Sequence, residues 1–338
     1  MKTSQFSFDL PEEQIAQSPP PDREAARLLV LNRSTGKISH SIVKDLASWI
    51  KPGTLIVLND TRVRKARLFG ARRGGGTTEF ILLENNGADC WKAIAGRTGR
   101  LKQGTVFSFP EDVTGSLEPS DGESRLLRFS PAIDEAWLER NGHVPLPPYI
   151  RRADLPADEE RYQTVYARSL GSAAAPTAGL HFTLRLLDEL RAHGAEVAWV
   201  TLHVGLGTFQ PIRTENIEEH RMHEEAYAVP AATKALCDAA VAEGRPVLAV
   251  GTTVVRTLES AWGDDGLREG EGRTGIYIMP GYKFKVVRQL FTNFHTPGSS
   301  LLVLASAFAG SARLRETYAR AVRKGYRFFS YGDAMLIQ

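Results

Sequence analysis

Several apolar runs in this sequence are followed by short polar segments whose side chains could move protons. The histidines and carboxylates among them are His181, His203, His295, Asp60, Glu259 and Asp333. Groups of these types can act as general acids and bases near neutral pH, so these residues are candidate catalytic groups. A solvated or paired carboxylate at Glu259, or turn-forming aspartates at Asp60 and Asp333, would use the same residue types. The residue types do not decide which residue has which role.

The same segments carry glycine, amide and hydroxyl residues that suit the binding of a small ligand. Thr252 follows Gly251 at the predicted start of a helix, where backbone N–H groups favour an anion, although a plain helix cap would use the same residues. The motif GLG at 205–207 lacks the third glycine of a dinucleotide-binding loop, so a tight turn explains it equally well. The candidate binding residues are Asn59, Thr177, Gly179, Gly205, Gly207, Thr252, Arg256 and Asn293.

A metal site is a competing interpretation for the segment HRMHEE at 220–225. His220 and His223 would share one face of a helix, beside Glu224 and Glu225. The spacing is not that of HExxH, however, and the cysteines Cys90 and Cys237 lie far apart in the sequence. We therefore expect no metal.

The spacing of apolar residues indicates the elements that must hold these segments. Strand-like runs and helical patterns alternate in the second half, with strands at 196–202, 246–250, 286–291 and 326–330 and helices at 184–193, 233–243, 254–262 and 301–323. Further strand-like runs lie at 27–31 and 54–58. This alternation predicts a layered α/β fold with a mainly parallel sheet, in which ligands bind beyond the carboxyl ends of the strands. We therefore expect the polar segments to meet in one pocket.

The middle of the chain has a different pattern. Short strand-like runs at 80–83, 91–95, 106–109 and 126–129 are separated by turns, and no helical pattern appears before about 132–141. Short strands at this spacing are typical of a small all-β barrel or sandwich. We therefore predict a discontinuous α/β domain (1–66 and 150–338) interrupted by an inserted barrel-like domain (67–149).

Basic residues are concentrated in the first part of this insert, although the whole chain has a net charge of only +3. Residues 61–110 hold ten basic and three acidic side chains, a net charge of +7, whereas residues 111–139 have a net charge of −6. A stretch of one sign suits a polyanion, although a solvated basic face would give the same pattern. The predicted nucleic-acid contacts are Arg64, Lys65, Arg67, Arg72, Arg73, Arg97, Arg100 and Lys102.

Long motifs along the whole chain resemble the S-adenosylmethionine:tRNA ribosyltransferase-isomerase family of queuosine biosynthesis. They are FDLPEEQIAQ (8–17), LLVLNRSTG (28–36), LIVLNDTRV (55–63), RYQTVYA (161–167), GSAAAPTAGLHFT (171–183), VTLHVGLGTFQPI (200–212), HRMHEE (220–225), GTTVVRTLES (251–260), FTNFHTPGSSLLVLASAFAG (291–310) and YRFFSYGDAMLI (326–337). The sequence departs from the family pattern at Arg64, Lys65, Val254 and Thr296, where the family has NDTRVIPAR, GTTSVRTLES and NFHLP.

The resemblance implies a particular use of S-adenosylmethionine, as a ribosyl donor. The expected reaction transfers and isomerises its ribosyl group onto 7-aminomethyl-7-deazaguanine at the wobble position of a tRNA, giving epoxyqueuosine tRNA, adenine and methionine. On this basis Arg256 or Thr252 would hold the methionine carboxylate, and Gly179, Gly205 and Gly207 would let the backbone approach the sugar. The family implies no metal.

Two other classes of protein remain alternatives at this stage. A non-catalytic tRNA-binding protein would use the basic insert alone, and an S-adenosylmethionine-dependent methyltransferase would transfer the methyl group instead of the ribosyl group. The longest apolar run, 301–309, is far shorter than the roughly 20 residues of a membrane helix. The N-terminus has no apolar signal region. We therefore expect a cytoplasmic protein, with a monomer as the default.

Overall fold

The computed structural model describes residues 1–87, 89–96, 101–120, 124–205 and 211–338. The first elements are β1 (Arg27–Leu31), β2 (Ile38–Ile42), β3 (Leu55–Asn59) and β4 (Thr61–Val63). Those of the middle part are β5 (Arg67–Arg72), β6 (Thr77–Asn85), β7 (Cys90–Ala95), β8 (Val106–Ser108), β9 (Thr114–Glu118), β10 (Arg125–Ser130) and α1 (Glu135–Asn141).

The remaining elements follow the middle part. They are α2 (Pro156–Arg161), β11 (Ser169–Ser172), α3 (Leu184–Ala192), β12 (Glu196–Leu202), β13 (Glu225–Val229), α4 (Ala231–Ala242), β14 (Val247–Val250), α5 (Thr252–Ala261), β15 (Trp262–Gly263), β16 (Gly266–Leu267), β17 (Gly270–Thr274), β18 (Gln289–Asn293), α6 (Ser300–Ala309), α7 (Ser311–Arg323) and β19 (Ala334–Ile337). Short 3₁₀ helices include Val43–Trp49 and Thr177–His181.

A nine-stranded sheet forms the larger layer, in the order β17-β13-β12-β3-β14-β18-β19-β1-β2. The four central strands β12, β3, β14 and β18 are parallel, as is the pair β19–β1. The strands β13, β17 and β2 pair antiparallel with their neighbours, and so do β18 and β19. The sheet is therefore mixed, where we predicted a mainly parallel one. Strand β2 shows the reason: it follows β1 through a turn, without the crossover that parallel pairing needs.

Both faces of the sheet are covered, which explains why its central strands read as continuous apolar runs. In β3, Leu55 and Val57 face the core formed with α4 to α7, whereas Ile56 and Leu58 face the core formed with α3 and the 3₁₀ helix Val43–Trp49. All residues of β3, β14 and β18 are buried. These strands are therefore fixed firmly enough to hold side chains at their ends in place.

The middle part forms a closed barrel with the strand order β10-β7-β6-β5-β8-β9. Its core is aromatic, and the rings of Phe80 and Phe107 meet edge to face with centroids 4.8 Å apart. Gly70 is required there, because a Cβ at this position would lie 2.9 Å from both Phe107 Cβ and Phe109 Cζ. The predicted fold class, an α/β layer with an all-β barrel, is confirmed; the domain boundaries stay a prediction.

The predicted strand at 326–330 is wrong. The last strand is β19, which lies between β18 and β1 in the sheet. Tyr326 and Phe328 instead pack in an aromatic cluster with Phe294 and Tyr318, and Phe329 has a φ of 72° that no regular strand contains. The apolar run at 326–330 is therefore an irregular segment buried in the core. None of the described helices is long and apolar enough to cross a membrane.

Candidate active site

The carboxyl ends of the central strands meet at one edge of the sheet, which we call the rim. His203 follows β12, Asp60 follows β3, Thr252 follows β14, and Asn293 ends β18. Asp333 lies at the same edge, because β19 runs antiparallel to β18 and pairs Ala334 with Asn293. The order and direction of the strands therefore bring these segments to one edge of the sheet, and their meeting in one pocket stays a prediction.

His203 belongs to a chain of polar side chains at this rim. Its Nδ1 atom lies 2.8 Å from Thr61 Oγ1. Thr201 Oγ1 donates to Asp60 Oδ1 at 2.6 Å and lies 3.3 Å from Ser169 Oγ, while the backbone carbonyl of Ser169 faces the Thr61 hydroxyl at 3.4 Å. These contacts connect the ends of β12 and β3 with β11 and orient the imidazole.

The charge state of His203 suits a base. Partial burial lowers the pKa of His203 below its usual value, the charge of Arg64 lowers it further, and Asp60 opposes the shift. The ring is therefore neutral at neutral pH. Its second nitrogen, Nε2, makes no hydrogen bond to any described residue, so a lone pair or an N–H is available to a ligand.

Gly171 keeps the neighbourhood of the His203 ring compact. A Cβ at this position would lie 2.8 Å from His203 Cε1, and the φ of 152° favours glycine. Any larger residue would therefore displace the imidazole.

Asn59 holds the adjacent strand ends in register. Its amide nitrogen donates to the carbonyl of Leu202 at 3.0 Å and to Thr253 Oγ1 at 3.3 Å. Its amide oxygen accepts from the backbone N–H of Thr61 and of Leu202. The Asn59 side chain is therefore occupied with linking β3, β12 and the start of α5, a positioning task rather than the predicted ligand contact.

Arg256 forms a buried ion pair with Glu225, in which both side chains are nearly inaccessible. The guanidinium also faces the carbonyl of Thr274, and Glu225 Oε1 accepts from the backbone N–H of Gly205 at 2.9 Å. The predicted role of Arg256, a contact to a substrate carboxylate, is thus corrected, because its charge is already matched by Glu225. The pair instead supports the chain where it leaves β12.

His181 and Asn293 form a second polar cluster at the rim. Asn293 Nδ2 lies 3.2 Å from His181 Nε2, and Asn293 Oδ1 accepts from Thr177 Oγ1 at 3.2 Å. Complete burial lowers the pKa of His181 to about 4; a hydrogen bond with the backbone of Arg23 opposes this shift, and the charges of Arg23 and Arg327 add to it. His181 is therefore a neutral, hydrogen-bonded ring.

His295 is the third predicted histidine and lies in a separate network. Its Nε2 is 2.9 Å from Thr292 Oγ1, and its backbone N–H donates to Tyr318 Oη at 2.9 Å. Burial lowers the pKa of His295 to about 3. His203 and His295 follow strands that end at the rim, and His181 contacts Asn293 at the end of β18. Of the three, only His203 is partly exposed and also has a ring nitrogen without a hydrogen bond to a described residue.

Asp333 lies at the rim, but its carboxylate is used by the backbone. Its two oxygens accept from the N–H groups of Arg27 and Arg327 at 2.9 and 2.8 Å. Burial raises the pKa of Asp333, and these hydrogen bonds oppose the shift. The arrangement joins the starts of β19 and β1 to the preceding loop.

The remaining candidate binding residues differ in how open they are. Thr252 begins α5 after Gly251, whose φ is 93°, and its hydroxyl makes no hydrogen bond to a described residue. Among the described residues, a Cβ at Gly205 would meet Glu225 Oε1 alone, at 3.9 Å, whereas at Gly179 it would lie 2.2 Å from Tyr166 Oη. Gly179 is thus needed for packing. Gly207 lies outside the described residues.

Glu259 does not lie at the rim, which corrects its predicted catalytic role. It accepts hydrogen bonds from Tyr282 Oη and from the backbone N–H groups of Lys285, Val286 and Val287, at 2.8–3.1 Å. These residues precede β18 and therefore lie at the opposite end of that strand from Asn293. Helix α5 carries its side chains away from the rim by about 1.5 Å per residue, so Glu259 caps the incoming loop.

Replacing Glu259 by alanine should destabilise the fold. The buried N–H groups of Val286 and Val287 would lose their acceptor, and each unsatisfied donor costs about 1–3 kcal/mol, so we expect a loss of about 2–6 kcal/mol. Denaturant unfolding measures it. Glu189→Ala, which removes an exposed ion pair with Arg185, is the control; a loss no larger than in this control would contradict the capping role.

Several of the predicted nucleic-acid contacts have acidic partners within the chain, and the prediction itself stays untested. Arg64 is paired with Glu135 (2.6 Å), Lys65 with Glu139 (3.3 Å) and Glu159 (3.0 Å), and Arg67 with Glu79 (2.8 Å). Glu135 and Glu139 on α1 and Glu159 on α2 are thus supplied from outside the basic stretch, whereas Glu79 lies within it. Of the others, Arg72 is half-buried against Thr78, Arg73 and Lys102 are exposed, and Arg97 and Arg100 lie outside the described residues.

No group of histidine, cysteine or acidic side chains suited to a metal was found among the described residues. The ring of His220 contacts that of Tyr277 edge to face, whereas the carboxylate of Glu225 pairs with Arg256. These two side chains of the HRMHEE segment therefore have different partners. The metal interpretation therefore has no support from the described part of the chain.

Sequence reasoning missed three polar residues around His203. They are Thr61, Ser169 and Thr201. A signal existed for Thr201, since it is the one hydroxyl in the apolar run EVAWVTL. Ser169 gave none, because β11 is short and half-exposed.

Comparison with known proteins gives a consistent result. The sequence matches the family described as "Queuosine biosynthesis protein" over residues 3–337. The protein of Moorella thermoacetica named S-adenosylmethionine:tRNA ribosyltransferase-isomerase is 49% identical over 346 residues, and its namesake from Treponema denticola is 46% identical over 346 residues, with 100% of each chain covered. The crystal structure of S-adenosylmethionine tRNA ribosyltransferase from Thermotoga maritima is 35% identical, with 99% of this chain and 100% of that chain covered and a TM-score of 0.58.

The fold and the rim, together with these relatives, define an enzyme built on a mixed α/β sheet with an accompanying β-barrel. The chain belongs to the queuosine biosynthesis protein family, as the resemblance of its motifs predicted.

Proposed function

We propose that this enzyme transfers and isomerises the ribosyl group of S-adenosylmethionine onto 7-aminomethyl-7-deazaguanine at the wobble position of a tRNA. The products are epoxyqueuosine tRNA, adenine and methionine. Family membership supports the reaction class, and the observation at the site that carries the proposal is the neutral His203, with an open Nε2, beside Asp60.

The first step requires a base. The sulfonium of S-adenosylmethionine acidifies the ribose 5′ carbon, and removal of a proton there opens the sugar ring with loss of adenine. His203 is the best placed residue for this role, because its pKa is lowered, its Nδ1 is held by Thr61, and its Nε2 is open. Asp60 lies near enough to stabilise the imidazolium that results.

The other rim residues position the reactants. His181 and Asn293 form a polar wall, in which Asn293 Nδ2 donates to His181 Nε2 and the buried ring also bonds the backbone of Arg23. His295 supports the loop after β18 through Tyr318, and Asp333 holds the start of β19. The N-terminus of α5 at Thr252 replaces Arg256 as the seat of the methionine carboxylate, since its hydroxyl and the helix N–H groups favour an anion.

The substrate amine must be neutral to attack the sugar. We further propose that exposed barrel cations, Arg73 and Lys102 among them, contact the tRNA, and that the enzyme acts as a cytoplasmic monomer.

Product analysis tests the function. Purified enzyme, tRNA bearing the aminomethyl base and S-adenosylmethionine should yield free adenine and methionine in equal amounts, with the ribosyl carbons bound to the tRNA. Formation of S-adenosylhomocysteine with a methylated tRNA would instead indicate a methyltransferase. Binding of tRNA without any turnover would indicate the non-catalytic alternative.

A further inference from the structure

Three arginines near His181 lack the carboxylate partners that neutralise the barrel cations. Arg23, Arg161 and Arg327, which we call the arginine cluster, form no salt bridge with a carboxylate within the described parts of the chain. Each is only half-buried. Their positive charges are therefore available to a ligand, unlike those of Arg64, Lys65 and Arg67.

Backbone carbonyl groups hold the three guanidinium groups in place. Arg23 donates to the carbonyls of Leu180 (3.0 Å) and Glu160 (2.9 Å), and Arg161 to those of Pro20 (2.5 Å) and Pro21 (3.1 Å). Arg327 donates to the carbonyl of Ser18. A hydrogen bond to a neutral carbonyl oxygen orients a guanidinium group without cancelling its positive charge.

The segment that supplies most of these carbonyls is rigid. Its sequence at 18–21 is SPPP, and proline fixes the backbone φ and has no N–H to donate. The carbonyls of such a segment need donors from elsewhere, which the arginines provide. The cations are thus preorganised, and little side-chain entropy remains to be lost when an anion binds.

The arginine cluster lies beside the proposed site. Arg23 donates to the carbonyl of Leu180, the residue before His181, and Arg161 and Arg327 both donate to carbonyls of the segment 18–21. The charges of Arg23 and Arg327 also act on His181, and that of Arg161 acts on Arg23. Two acids face them: Glu160 counteracts part of the Arg23 charge, and Asp333 is bonded by the backbone N–H of Arg327. Three cations against these two acids leave an excess of positive charge at the rim.

A guanidinium with remaining donors suits a phosphate oxygen, because its planar fork matches the geometry of that group. The Nε atom of Arg161 is buried and makes no hydrogen bond to a described residue, although guanidinium groups usually use their donors. An RNA chain placed with its reacting base at the rim would bring its own backbone phosphates next to that base.

We propose that the arginine cluster binds a backbone phosphate of the RNA substrate and so fixes the reacting nucleotide beside His181 and Asn293. The inference rests on the proposed function, which requires an RNA substrate at this rim. A carboxylate of the small substrate has similar chemistry, and the experiment separates the two.

The test measures tRNA binding over a series of salt concentrations. Arg23→Gln, Arg161→Gln and Arg327→Gln should each reduce the slope of log Kd against log salt by about 1, because each removes one phosphate contact. The KM for S-adenosylmethionine at saturating tRNA should stay unchanged. Arg140→Gln is the matched control, because that exposed arginine is paired with Glu111 at 3.0 Å and should keep the wild-type slope.

A lysine variant distinguishes the loss of a charge from a purely structural effect of the substitution. Arg327→Lys keeps the charge, so it should keep the salt slope even if the hydrogen bond to Ser18 weakens. If the Lys and Gln variants lose binding alike, or if the Gln variants keep the wild-type slope, the proposal is wrong. If only the KM for S-adenosylmethionine rises, the cluster binds a carboxylate instead. Failure of the wild-type enzyme to release adenine would refute the proposed function, independently of these slopes.

Discussion

Replacing His203 by alanine is expected to slow adenine release by about 10²–10⁴-fold, which is the usual contribution of a positioned general base. The binding of S-adenosylmethionine should change little, because the role of the imidazole is proton removal. We assign this role to His203 because its ring is neutral, its Nδ1 is fixed by Thr61, and its Nε2 is open beside Asp60. Single-turnover kinetics with substrate tRNA measure the effect directly.

The pH dependence of the same reaction follows from the sign of the pKa shift. The neutral imidazole is the active form, and the pKa of His203 is lowered below 6.5, mainly by burial. The rate should therefore be constant near neutral pH and fall only as the pH drops through a value below 6.5. His193→Ala, at an exposed histidine after α3, is the matched control and should leave both rate and profile unchanged. Full activity of the His203→Ala variant would rule His203 out as the base.

Arg256→Met should destabilise the fold by about 3–5 kcal/mol, the usual cost of removing one partner of a buried ion pair. The variant retains most of the side-chain volume but removes the guanidinium that faces the buried Glu225 carboxylate. Because Glu225 also accepts from the N–H of Gly205, the chain after His203 should shift, and turnover should fall with stability. Denaturant unfolding and adenine release report the two effects.

A second substitution separates the charge effect from lost packing. Glu225→Gln in the Arg256→Met background removes the remaining charge while keeping an acceptor for Gly205, so it should recover part of the stability. Arg191→Met, which breaks an exposed pair with Asp188, is the control and should cost less than about 1 kcal/mol. An Arg256→Met variant as stable as this control would show that the buried pair contributes little.

The α/β layer and the barrel could be predicted because their strands carry strong local patterns. The run Glu196–Leu202 is β12 over the same residues, and the apolar run before Asn59 is a central strand buried on both faces. Parallel strands then bring their carboxyl ends together without further information. This rule explains why Asp60, His203 and Asn293 could be grouped from the sequence.

Partners that come from distant parts of the chain could not be predicted. Glu259 was a candidate catalytic residue because the sequence does not reveal that the loop 285–287 turns its N–H groups toward it. Arg64 looked like a phosphate contact because Glu135, which neutralises it, is supplied by α1 after the barrel closes. Charge counted along a sequence therefore differs from charge counted across a surface.

Nothing in the sequence indicated the arginine cluster, although its charges have no carboxylate partner among the described residues. Arg23, Arg161 and Arg327 are widely separated in sequence, so no charged stretch marked them. Only the folded chain brings them to one segment, where carbonyl groups orient them. Their position next to His181 makes the α/β layer, as well as the barrel, a contact surface in the proposed complex.

The structure of the enzyme with an unreactive analogue of S-adenosylmethionine tests the central claim most directly. We expect the analogue at the rim, with the ribose 5′ carbon next to His203 Nε2 and the carboxylate at the start of α5 near Thr252. An analogue bound away from the rim, for example in the hollow between the N-terminal segment and α7 lined by Phe6, Phe8 and Tyr318, would contradict it.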